Sequence, residues 1–144
     1  MSRALLLAVG AAGLALVGVA PAQAASTAQA AATTTCGSPA IGNSLQARVC
    51  ATVDGGTVSF TGTVAPAGVP APTGLQLTGL LSAQVDGGAS LGSLSQNAVF
   101  NGTTLQFGPL TATAPCGSTV QATFDVYSYG WGIRPVTVDV PVAC

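Results

Sequence analysis

Few side chains in this chain could do acid–base, nucleophilic or metal chemistry. There are four aspartates, four cysteines and three arginines, with no histidine, lysine or glutamate. Without histidine there is no base for a Ser–His pair, and without lysine there is neither a Schiff base nor a Ser–Lys pair. If the cysteines are oxidised there is no thiolate, and transition-metal ligation is poor for the same reasons. Aspartate is what remains. Asp54 and Asp86 each stand in a Val-Asp-Gly-Gly tetrad, where the ordinary role of the carboxylate is turn chemistry. Asp125 and Asp139 are expected on one outer face of neighbouring strands, as diagonal neighbours roughly 7–8 Å apart. That spacing falls within the range of an inverting glycosidase pair. Nothing in the sequence builds a cleft around them or gives them unlike environments. Two solvated carboxylates are therefore the expectation, in a non-enzymatic chain without metal or cofactor.

The aromatic residues are more telling. Every tyrosine and tryptophan lies in Tyr127-Ser128-Tyr129-Gly130-Trp131. On a strand, positions i, i+2 and i+4 share a face, so the three rings are expected beside Asp125 and opposite Phe124 and Val126. Trp131, flanked by glycines, is expected at a loop tip. Exposed rings beside a hydrogen-bonding carboxylate suit a surface that stacks on sugar rings or grips another surface protein. Asp125, Tyr127, Tyr129 and Trp131 are thus the candidate ligand-binding residues. In the competing arrangement Gly130 bends the chain, Trp131 enters the core and a loop covers the tyrosines.

These residues need strands to position them, and period-two alternation supplies them. Leu45, Ala47, Val49, Ala51 and Val53 alternate with polar residues, as do Val58, Phe60 and Val64 beyond Asp54-Gly55. A two-residue Asp-Gly loop would pair Val53 with Gly56, Ala51 with Val58 and Val49 with Phe60, apolar against apolar. After a proline-rich connection, Leu75, Leu77, Leu81, Ala83 and Val85 form another face, ending at Asp86-Gly87-Gly88. Asn101-Gly102 reads as a third hairpin, and with Thr103 as an N-glycosylation sequon in a host that uses such sites. Val120, Ala122, Phe124 and Val126 face inward in the last hairpin, returning as Val136, Val138, Val140 and Val142. Pro135 and Pro141 make the returning strand an edge. Matching the faces calls for an odd loop, Gly130-Trp131-Gly132, with Tyr129 opposite Ile133.

In that register Cys144 lies close to Cys116 on the inner face, so these two pair, and by elimination Cys36 pairs with Cys50 around a turn near Gly42-Asn43. Cross-pairing of Cys36 with Cys144 and Cys50 with Cys116 is the alternative. About seven short strands with turn signals between them predict an all-β two-sheet sandwich of immunoglobulin-like architecture with two disulfides. A small closed β-barrel is the alternative.

Residues 1–24 read as a secretory signal peptide: Arg3, an uncharged run from Ala4 to Val19, Pro21, then Ala22-Gln23-Ala24 before the cleavage point. The run is shorter than the ~20 residues of a spanning helix, so no stable membrane insertion is expected after cleavage. Residues 25–35, of Ala, Thr, Gln and Ser only, read as a flexible spacer, and residues 36–144 as one disulfide-stapled domain. An even cysteine count after a signal peptide fits an exported domain, extracellular or held at the cell envelope. With Arg48 and Arg134 the only cations there, the domain lacks the basic patch that nucleic acid or anionic lipid requires. The Ala, Gly, Thr and Val bias without lysine is also what a GC-rich bacterial genome yields.

In size, export, four cysteines, low charge and this bias, the mature chain resembles the secreted actinobacterial apoproteins that carry enediyne chromophores. The cysteine spacings, thirteen and twenty-seven intervening residues, are wider than that family's, and no binding residue carries over. The resemblance implies a carrier of a small hydrophobic ligand. Ranked above it are a binding module for carbohydrate or cell wall acting through residues 125–131, and next a structural or self-assembling surface protein, since long uncharged strands with an exposed edge pair readily between molecules.

Overall fold

The computed structural model describes residues 31–144. The expected signal peptide and most of the expected spacer lie outside the described residues. Nine strands follow in order: β1 (Thr33–Cys36), β2 (Ala40–Gly42), β3 (Leu45–Asp54), β4 (Thr57–Pro66), β5 (Thr73–Val85), β6 (Ser90–Asn101), β7 (Leu105–Thr113), β8 (Thr119–Ser128) and β9 (Trp131–Pro141). They form two antiparallel sheets. The first runs β1-β3-β4-β7, with β2 also paired to β3; the second runs β6-β5-β8-β9. The sheets face each other as a sandwich and do not close into a barrel. No helix occurs among the described residues, so none there is long and apolar enough to cross a membrane.

Alternation dictates the core. The inner residues of β3 and β4, from Leu45 to Val64, meet those of β5, β8 and β9, and the alternating residues between them face outward. Two glycines let the sheets approach. A Cβ on Gly62 of β4 would lie 2.6 Å from the Phe124 ring, and one on Gly79 of β5 would lie 2.5 Å from the Phe107 ring. Each sheet thus sends a phenylalanine onto the other's bare backbone, and the two rings meet at 5.4 Å between centroids. All four phenylalanines are fully buried.

Both disulfides join the pairs that the β8–β9 register and elimination predict. Cys36 and Cys50 are directly opposed across β1 and β3, on the outer face of the first sheet. Cys116 and Cys144 close the β8–β9 end of the second sheet. The loop within the first bridge turns at Asn43-Ser44, both with positive φ, the type I′ pattern of a tight hairpin. Two oxidised bridges are the state that an oxidising compartment sustains.

Four expectations need correction. Thr33-Thr34-Thr35 belong to β1 rather than to a spacer, so ordered strand begins before Cys36. The β-branched threonines pair with Val53, Thr52 and Ala51. The first hairpin turns at Gly55-Gly56, pairing Asp54 with Thr57, Val53 with Val58 and Ala51 with Phe60. Its register is two residues from the expected one, a shift that leaves every face unchanged. Gly55, with φ +56°, supplies the first central position of the turn. Asn101-Gly102 closes no hairpin, because β6 and β7 lie in different sheets and the dipeptide turns the chain from one to the other. Finally, β8 and β9 join through a two-residue turn, Tyr129-Gly130, with Ser128 opposite Trp131. The parity change expected from an odd loop comes instead from a bulge, where Arg134 and Pro135 stand against Asp125. β9 is the sheet edge, as its prolines require.

Candidate functional site

The bulge decides where the aromatic rings go. Near the turn, Val126 and Ile133 are paired and buried, so Tyr127 and Gly132 face outward and Ser128 and Trp131 face inward. Trp131 is half-buried and packs against the core. It leaves the expected cluster because two-residue turn and bulge together place it on the opposite face from Tyr127. Asp125 and Tyr127 face outward from the second sheet, and Tyr129 stands in the turn beyond them. Tyr127 is 43% exposed and Tyr129, at the turn, is completely exposed. Ser128 Oγ donates to the Gln76 carbonyl at 2.6 Å and holds the end of β8 against β5.

Register defines what surrounds Tyr127. Gly132 on one side and Thr78 on the other flank it, and Thr78 Oγ1 donates to Asn97 Oδ1 at 2.7 Å. The glycine leaves that side of the ring without a side chain above the sheet. Further along β8, Thr137, Thr123, Ser82 and Ser93 form one row of small hydroxyl residues across all four strands. The next outward row is Asp139, Gln121 and Gln84, joined by side-chain hydrogen bonds: Gln121 Nε2 to Asp139 Oδ1 at 3.0 Å and Gln84 Nε2 to Gln121 Oε1 at 3.4 Å. These residues, with Asp86, Gly87 and Thr119, line a concavity of about 300 Å³.

Asp139 therefore sits opposite Gln121, four residues along β8 from Asp125 rather than two, an offset of about 13 Å along the strands at the rise of an extended chain. The diagonal placement expected for a glycosidase-like pair is absent, because the true register lies two residues from the expected one. Among the described residues no group of three or more acidic or cysteine side chains is placed to hold a metal ion. An apolar groove between β1 and β9, lined by Thr33, Thr35, Val53, Val140 and Pro141, measures about 170 Å³. That is below the ~300–1,000 Å³ of small-molecule pockets. Three of the four sheet edges are interrupted: β9 by Pro135 and Pro141, β7 by Pro109 at its bulge, and the β1–β2 edge by the break between those strands, which resists pairing between molecules there. The fourth edge, β6, runs from Ser90 to Asn101 without a proline.

Gln84, Gln121, Thr78 and Asn97 were not singled out in the sequence. Alternation already places Gln121 on the face of Asp125 and Tyr127, but an uncharged amide gives no chemical signal until its partners are known.

No family model matches the chain, and no curated protein matches it. Among solved structures it is similar to a candidate beta-galactosidase from Bacteroides fragilis, at 12% identity and a TM-score of 0.49. The match covers 77% of this chain and 15% of that one, so this chain spans a small part of that protein's length.

Proposed function

We propose that the chain is an exported, non-enzymatic binding module that recognises carbohydrate through the outer face of the second sheet, around Tyr127 and Tyr129. One observation carries the reading: two exposed tyrosines stand at the end of a sheet face whose other outward side chains are mainly hydroxyls, amides and carboxylates, with Leu80 and Val99 the apolar exceptions. A sugar ring offers an apolar C–H face and a rim of hydroxyls. A tyrosine ring packs on the first, and Thr78, Asn97 and the hydroxyl row exchange hydrogen bonds with the second. The signal-peptide pattern and the two disulfides support export, where wall and extracellular polysaccharides are found. The partner is then a polysaccharide, or a glycan-bearing surface protein.

Co-sedimentation of the mature protein with insoluble cellulose, chitin and isolated cell wall tests this. Retention on at least one of them is expected, weakened about tenfold or more by Tyr127→Ala with Tyr129→Ala, since each such ring supplies a large part of a small contact. Absence of retention on any of the three would sink the reading.

A further inference from the structure

We infer that the site extends along β8 from Tyr127 to a second contact at the Gln121 amide, and that its ligand is an uncharged, extended oligosaccharide. The inference rests on the carbohydrate reading above and adds length and charge selectivity to it. Gln121 and Tyr127 lie on one strand and one face, six residues apart, which is about 20 Å at the rise of a β-strand. That distance is several pyranose rings long. Between the two ends the surface carries the row of Asp125, Leu80 and Ser95 and the row of Thr137, Thr123, Ser82 and Ser93, with no aromatic side chain in either row to block a chain lying across them.

The far end is organised for hydroxyl groups. Gln121 gives one amide proton to Asp139 and receives one from Gln84, so its orientation is set on both sides. One proton of the Gln121 amide, the Gln84 carbonyl and the second Asp139 oxygen remain for a ligand. A donor and acceptors fixed side by side in a concavity suit a group that both donates and accepts, which is what each sugar hydroxyl does. Charge sets the class. Asp125, Asp139 and Asp86 border this track, and among the described residues the cation on this sheet is Arg134, in the bulge at the β9 edge. Uronic-acid, sulfated or phosphate-bearing polymers would bring like charge onto these carboxylates, which opposes their binding.

Titration calorimetry with defined oligosaccharides tests the extension: cellobiose against cellohexaose, chitobiose against chitohexaose, and hexagalacturonate as the anionic probe. A neutral hexamer should bind about tenfold tighter than its disaccharide, the worth of one or two additional net hydrogen bonds. Gln121→Ala should bring the hexamer down to the affinity of the disaccharide. Gln84→Ala, at an exposed position that frees the Gln121 amide, should move it the same way by a smaller factor. Hexagalacturonate should bind at least about tenfold more weakly than either neutral hexamer. Equal affinity for dimer and hexamer, or a hexamer indifferent to both glutamine variants while Tyr127→Ala still abolishes binding, would overturn the extension and leave the carbohydrate reading standing. Tighter binding of hexagalacturonate would overturn the ligand class. Binding of none of these oligosaccharides would remove the extension and the carbohydrate reading together.

Discussion

The two outer faces of the sandwich begin alike and end differently. The first sheet carries a row of hydroxyls, Thr34, Thr52, Ser59 and Thr111, with a 2.9 Å hydrogen bond between the first two and a 3.3 Å one between the last two. The second carries the equivalent row of Thr137, Thr123, Ser82 and Ser93. A domain without lysine or glutamate must keep both faces hydrated by such groups, so the rows themselves do not mark a site. What only the second face adds is Tyr127 and Tyr129 at one end and the Gln84–Gln121–Asp139 relay at the other. The first face adds instead a disulfide and Arg48, and presents no aromatic ring. The second face thus differs from the first by these groups, and the shared hydroxyl rows serve as an internal control.

Below these faces the sheets treat each other alike, and the largest effects of substitution should fall there. Gly62→Ala and Gly79→Ala each force a methyl into a phenylalanine ring of the opposite sheet, and each should cost about 1–3 kcal/mol in urea unfolding. If one is tolerated and the other is not, the reciprocal packing is wrong for that half. Trp131→Ala comes next. The ring packs on the core, so its loss should cost about 2 kcal/mol, while Tyr129→Ala, which removes a fully exposed ring, should stay within about 0.5 kcal/mol. A reversed order would return Trp131 to the outer face. The smallest effects belong to the hydroxyl rows. Thr52→Ala and Thr123→Ala should each alter stability by no more than about 0.5 kcal/mol. A clear difference between them would end the use of one face as the control for the other.

Sandwich class and the inner faces of the strands were legible because they depend on the parity of alternation. The disulfide pairing was legible because the β8–β9 register brings Cys116 to Cys144 and leaves Cys36 for Cys50, although Cys116 and Cys144 are exposed rather than on the inner face. The first hairpin tolerates a two-residue register error without moving a residue from core to surface, and Cys116 still meets Cys144 when β9 slides by two. Exact register carried less signal, since Asp54-Gly55-Gly56 offers more than one tight turn. That same slide is what separates Asp125 from Asp139. Asn101-Gly102 signals a turn but not a hairpin, because an Asn-Gly pair specifies positive φ, not whether the next strand joins the same sheet. Trp131 turned on where the parity change occurs. An odd loop and a bulge give the same inner face far from the turn and opposite faces next to it, and Pro135, a residue confined to edges and bulges, was the available clue. Tyr127 faces outward as alternation along β8 requires, since the extra residue of the bulge lies on β9, and Tyr129 is exposed in the turn beyond it.

The most direct test is to see which face a glycan touches. Amide chemical shifts of the protein can be followed during titration with chitohexaose and cellohexaose in turn. Shifts concentrated at Tyr127, Asp125, Thr123 and Gln121, with Thr52, Ser59 and Thr111 unmoved, are the result predicted here. Shifts centred on the first sheet, or none with either hexamer, would contradict the assignment of the second face as the binding surface.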